Sequence, residues 1–228
     1  MEDGHYSIVL HNPPEFSIDV EILQLMLQKF SEISGSGIPV IISSDGDYFS
    51  QGYDCSCKLV RDNEFVQNFV SLGTAVMQLI RNHNAPVVLY GKGHVWGAAL
   101  ELALICDAFV CSDTCDIAYP DASFGLPPIF VDPFTFREIL GERLFARILS
   151  GTIIHADEGL ESNIITAKGS YEEAIDVMNK LNNQTFISGK ESDSIDLARI
   201  RNHLKYIQHM DTSKINLKAL ESYRKSNL

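Results

Sequence analysis

Glu101 is the only charged residue in the run Ala98-Ala99-Leu100-Glu101-Leu102-Ala103-Leu104-Ile105-Cys106. A helix that is apolar on all sides is a buried helix, so its one carboxylate is expected to be buried with it. Burial disfavours the charged form and raises a carboxyl pKa, which suits a glutamate to proton transfer near neutrality. The plainer reading, a buried Glu that pairs with an Arg or caps neighbouring backbone, carries equal weight at this point. Just ahead lies Gly91-Lys92-Gly93-His94-Val95-Trp96-Gly97, read as running from a strand directly into this helix. Glycines permit a tight turn there and leave N–H groups exposed at a helix start. Two chemistries fit. One is dinucleotide binding, with Asp113 twenty-two residues beyond Gly91 as a ribose-binding acid and an NAD-type oxidoreductase as the result. The other is an oxyanion hole of backbone N–H groups served by Glu101.

The elements that must carry these residues are readable from periodicity. His5–Leu10, Ile38–Ser43, Pro86–Tyr90 and Ala108–Cys111 read as short strands. Between them, a helix capped by Asp19 runs to about Ile33, with Val20, Leu23, Leu27 and Phe30 on one face. A second helix spans Asn63–Asn82, where Phe65, Phe69, Leu72, Val76 and Leu79 step by three and four. Strand and helix in alternation predict parallel crossover units. Beyond about Phe134 helices dominate: Phe134–Leu140, Glu142–Leu149, Tyr171–Asn182, Ser194–His209 and Lys214–Lys225. The expected division is an α/β core over 1–170 and a helical C-terminal region over 171–228.

Composition narrows the classes. The 228 residues carry 18 Lys and Arg against 30 Asp and Glu, a formal charge of −12. So acidic a surface repels phosphate backbones and anionic lipid, so neither nucleic acid nor membrane is an expected partner. No apolar stretch approaches the roughly 18 residues of a membrane span. Met1–His5 lacks the basic-then-apolar pattern of a secretory signal, and five cysteines are an odd set, so a cytoplasmic chain with reduced thiols is expected. Cys55, Cys57, Cys111 and Cys115 match structural zinc spacings poorly, and no metal is expected.

Two further stretches favour the oxyanion hole. Phe49-Ser50-Gln51-Gly52-Tyr53-Asp54 follows one strand, and Tyr119-Pro120-Asp121-Ala122-Ser123-Phe124-Gly125-Leu126-Pro127-Pro128 follows another. With Gly97–Glu101 between them, the chain resembles the crotonase (enoyl-CoA hydratase/isomerase) superfamily. That superfamily reads Phe-Ser-x-Gly-x-Asp, then Asn-Gly-x-x-x-Gly-Gly-Gly-x-Glu-Leu-Ala, then Phe-x-x-Pro-Glu-x-x-x-Gly-Leu-x-Pro. The match runs in order over nearly the whole chain. It departs where Lys92 replaces Asn, where Gly97-Ala98-Ala99 replaces three glycines, and where Phe130-Val131-Asp132-Pro133 replaces a Gly-Gly segment. It departs again where Asp121 replaces a glutamate longer by one bond, about 1.5 Å.

The resemblance implies a crotonase-like ββα spiral core with a helical C-terminal region, assembled as a homotrimer or dimer of trimers. It implies oxyanion-hole N–H groups at Tyr53 and Ala98, and catalytic carboxylates at Glu101 and Asp121. The implied substrate is an acyl-CoA thioester, bound around Gly52 and Gly97, with coenzyme A part of the substrate and no other cofactor; Trp96 is a candidate contact to the acyl group and Lys58 a candidate phosphate or adenine-ribose contact. Lys92 is a further candidate phosphate contact. The expected reaction is 2-enoyl-CoA hydration, in fatty acid metabolism. Alternatives are double-bond isomerisation, another enolate reaction on the same scaffold, the NAD-type oxidoreductase, and a catalytically silent paralogue.

Overall fold

The computed structural model describes residues 4–11, 16–54, 63–183 and 215–227. Lys58, Cys55, Cys57 and the helix read over Ser194–His209 lie outside the described residues.

The chain repeats one unit: a strand for a main sheet, a short strand for a side layer, then a helix. The first unit is β1 (Tyr6–Leu10), β2 (Ser17–Ile18) and α1 (Val20–Glu32). The second is β3 (Val40–Ser44), β4 (Gly52–Tyr53) and α2 (Asn63–Arg81). The third is β5 (Val87–Gly91), β6 (His94–Trp96) and α3 (Ala98–Ile105). Next come β7 (Ala108–Cys111), β8 (Asp116–Ala118), a 3-10 turn over Pro120–Phe124 and α4 (Pro133–Leu149). The chain continues through β9 (Ile154–His155), α5 (Ala156–Glu161), β10 (Ala167–Lys168) and α6 (Tyr171–Asn183), and the last described helix is α7 (Leu217–Lys225).

The main sheet runs β1-β3-β5-β7-β10 with every pair parallel. Its central strands β3, β5 and β7 are apolar on both faces because both faces are covered. Ile41, Val88, Ala108 and Val110 pack under Ala174, Val177 and Met178 of α6. The alternate residues, Val40, Ile42, Val87, Leu89, Phe109 and Cys111, face the larger core with α1, α2 and α3. In the side layer, β2 pairs with β4, and β6 pairs with β8 and β8 with β9. A bridge from Ser50 to Val95 links the β4 segment to β6. This is the ββα spiral with a helical C-terminal part.

Among the described residues, the periodic elements sit where the sequence predicts them. Asp19 caps α1 by accepting from the Ile22 N–H at 2.8 Å. α4 bends at Gly141, whose φ of 71° breaks the two helical patterns read on either side of it. One expectation is corrected. The glycine loop does not run directly from strand to helix: β6 intervenes, leaving the main sheet for the side layer before α3 begins. A dinucleotide turn needs the direct passage. Asp113, its proposed ribose acid, instead forms an exposed ion pair with Lys168 at 3.2 Å.

Candidate active site

Two glycine turns meet at the start of α3. Gly97 takes φ 55° and ψ −122°, and a Cβ there would come within 2.5 Å of Asp121 Oδ2. Gly52 takes φ 103°, and a Cβ there would lie 3.0 Å from the Trp96 carbonyl, 3.1 Å from Gly97 Cα and 2.8 Å from Arg224 Nη2. Both positions therefore need a residue that tolerates positive φ and close backbone approach. The result brings Tyr53 and Ala98, the residues that follow the two glycines, to one place. Ala98 is the first residue of α3, so its N–H has no partner within the helix.

The two acids flank this turn, and both are 0% exposed. Glu101 is held by four donors. The Tyr53 and Tyr119 phenols donate to Oε1, Tyr119 at 2.9 Å, and the N–H groups of Phe130 and Val131 donate to Oε2 at 3.0 and 2.8 Å. The Tyr53 and Tyr119 hydroxyls lie 2.8 Å apart, and the Ile129 N–H donates to the Tyr53 oxygen at 3.1 Å. Loss of water pushes the Glu101 carboxyl up to about 8. The Val131 N–H, the Tyr119 phenol and the Phe130 N–H restrain that rise, and Asp121 adds to it. The Tyr119 phenol is itself raised well above its usual range, first by burial and then by Glu101 and Asp121.

Asp121 sits in the 3-10 turn, which Pro120 opens and Gly125 closes in the left-handed region. Its Oδ1 accepts from Arg224 Nη2 at 2.6 Å, while Oδ2 has no hydrogen-bond partner among the described residues. Burial raises this carboxyl too, and the Arg224 guanidinium opposes the rise. Arg224 also donates through Nη1 to the Tyr53 carbonyl at 2.6 Å.

Gly52, Tyr53, Gly97, Ala98, Glu101 and Asp121 thus gather at the mouth of α3. Trp96 adjoins them through its carbonyl, but its ring turns the other way. The indole N–H donates to Asp116 at 2.6 Å, and the ring stacks on His94 with centroids 4.0 Å apart. Lys92 is half-buried between β5 and β6, with its carbonyl accepting from the Phe49 N–H. Arg224 and Tyr119 are the residues that sequence reasoning missed. A cation at the third position of the stripe Leu217, Leu220, Arg224 was the available signal, since that spacing places all three on one helix face. Tyr119 immediately precedes the last motif and carries no periodic signal.

The fold is shared with solved crotonases. An enoyl-CoA hydratase/isomerase from Mycobacterium paratuberculosis superposes with a TM-score of 0.78 at 20% identity, covering 96% of this chain and 93% of that one. An enoyl-CoA hydratase from Bacillus halodurans superposes with a TM-score of 0.76 at 14% identity, covering 99% and 97%. The family model for enoyl-CoA hydratase/isomerase matches residues 2–221, and the chain belongs to that family, within the crotonase superfamily. Rat "Enoyl-CoA hydratase domain-containing protein 3, mitochondrial" is 29% identical over 192 residues, which cover 79% of this chain and 63% of that protein. The carnitinyl-CoA dehydratase of Proteus mirabilis is 25% identical over 182 residues, covering 78% and 69%. The chain spans less than two thirds of the length of the rat, mouse and human relatives.

Proposed function

We propose that the protein acts on acyl-CoA thioesters by stabilising an enolate between the N–H groups of Tyr53 and Ala98, and that the reaction is hydration of a 2-enoyl-CoA. A single observation carries this reading: two fully buried carboxylates, Glu101 and Asp121, flank the glycine turn at the N-terminus of α3. A thioester carbonyl held by two fixed N–H donors gains negative charge as its β-carbon is attacked, and the positive helix end adds to the stabilisation. Hydration needs one group to take a proton from water and one to give a proton to C2. A carboxyl raised to about 8 is protonated at neutral pH, with one phenol oxygen then accepting from it, and suits the second role. Double-bond isomerisation, which needs one mobile proton, is the nearest alternative. No cofactor is required beyond the coenzyme A of the substrate. A homotrimer or dimer of trimers, supported by the C-terminal region 171–228, belongs to the same proposal. So does a cytoplasmic location, although the mammalian relatives carry "mitochondrial" in their names.

A catalytically silent paralogue is the second reading, and one observation favours it. The Phe130-Val131 segment, which replaces the superfamily's Gly-Gly, caps Glu101 through two backbone N–H groups. A panel of short, medium and long 2-enoyl-CoA esters, with products identified by mass, separates the two. Gain of one water on at least one ester supports hydration. Binding of the same esters with no change in mass and no new isomer on chromatography supports the silent paralogue, and a new isomer of equal mass supports the isomerase.

A further inference from the structure

α7 reaches the site from the far end of the chain. Its buried face is Leu217, Leu220 and Arg224, and Arg224 is 5% exposed. The guanidinium forks, with Nη1 on the Tyr53 carbonyl and Nη2 on Asp121 Oδ1, both at 2.6 Å. Asp121 Oδ2 is left facing Gly97. Glu101, by contrast, is held by phenols and amide N–H groups, all neutral donors. The two acids therefore differ in kind, one against a cation and one against neutral dipoles. Burial raises both carboxyls, and a cation opposes the rise at Asp121 and not at Glu101, a difference of environment that separates acid from base.

We propose that Arg224 is a positioning residue of this site: it clamps one oxygen of Asp121, leaves the other turned toward the Gly97–Ala98 turn as the base, and leaves the acid's role to Glu101. The proposal rests on the hydration reading above. In that reaction, Asp121 Oδ2 takes one proton from water as the water oxygen bonds to C3. The electron pair of the C2–C3 double bond moves onto the thioester as an enolate, and the Glu101 O–H then delivers its proton to C2. Asp121 ends protonated and Glu101 ionised, and one proton exchanged through solvent resets the pair. Among the described residues, the titratable neighbours of Asp121 are Arg224 from α7, Glu101 from α3 and Tyr119 ahead of the 3-10 turn. Arg224 is the cation among them.

The test reads Asp121 directly, with no need for turnover. Full-length protein is labelled with carboxyl-13C aspartate, the Asp121 resonance is assigned by its loss in Asp121→Asn, and its titration midpoint is measured. Arg224→Gln and Arg224→Met both remove the charge, and Met keeps the length. The expected result is a rise of about one pH unit or more, the usual effect of removing a close opposite charge. Arg224→Lys keeps a charge but loses the fork, so its midpoint should fall between. It alone decides should the other two not fold. A midpoint within about 0.3 unit of wild type in a folded variant overturns the proposal, because a merely packing role leaves it unmoved. A wild-type protein that hydrates no thioester refutes the hydration reading instead, and the titration still decides what Arg224 does to Asp121.

Discussion

At the residue scale the defining feature is a carboxyl group with no water around it. Glu101 has a pKa raised from 4.5 to about 8, first by burial. A raised folded pKa means that the native state holds the proton and the unfolded state releases it. The resulting stability is fully present below pH 4.5 and is lost as pH rises through about 8. Asp121 shifts in the same direction. Melting temperature should therefore fall between pH 5 and pH 8, and Glu101→Gln, which cannot ionise, should flatten that slope. The free energy at stake is on the order of a few kcal/mol. On the best thioester, Glu101→Gln should lower kcat by about 10²–10⁴ with little change in ligand affinity, the range for a lost general acid–base group. A kcat within threefold of wild type would make Glu101 structural. Glu101 was legible in the sequence because a lone charge in an apolar helix stands out. Asp121 was legible only through the resemblance, because an acid in a Pro-Asp-Ala turn has a plain reading as a turn former.

At the element scale, β4, α3 and the 3-10 turn make the site, and α7 reaches it through Arg224. Ala98 stands at the first position of α3, where proline is tolerated because the N–H has no helical partner. Ala98→Pro should leave the fold intact and remove one donor to the thioester oxygen, lowering kcat by about 10²–10³. Ala99→Pro, one residue along, is the control. If both melt near the wild-type temperature and the Ala98 variant is no slower, the hole lies elsewhere. α7 closes over the 3-10 turn, with the Tyr223 ring 5.8 Å from Phe124 and 6.0 Å from Trp96. Trp96 is the only tryptophan, so its fluorescence reports the docking of α7. Leu220 is fully buried, and Leu220→Asp should undock the helix, red-shift the emission and lower stability by several kcal/mol. The long amphipathic helices were readable because each repeats its pattern several times. The two-residue strands β2, β4, β9 and β10 were not, since so short a pairing has no period to detect. β6 was hidden for a related reason. Its glycine-flanked residues look like a helix-entry loop until the side layer supplies a partner strand.

At the scale of the whole molecule, the spiral stacks its units so that the two N–H groups proposed for the oxyanion hole, those of Tyr53 and Ala98, belong to a side-layer strand and to the helix after the next one. The family was legible because three motifs occur in order, and order over a whole chain is harder to meet by chance than any one glycine loop. Assembly is part of the proposed function. α4 exposes Phe134, and it exposes Ile139 beside Leu104 and Ile105, apolar surface of the kind that association covers. Light scattering at micromolar protein should give three or six times the 25.4 kDa of one chain, and a mass near one chain would remove the trimer. The central claim is that this fold makes a thioester enolate at the mouth of α3. It is tested most directly by incubating the protein in D2O with acyl-CoA esters that it binds and following deuterium at C2 by mass. The account expects deuterium to enter C2 with the wild-type protein and at least about a hundredfold more slowly with Glu101→Gln. A tightly bound ester that gains no deuterium at C2 would contradict it.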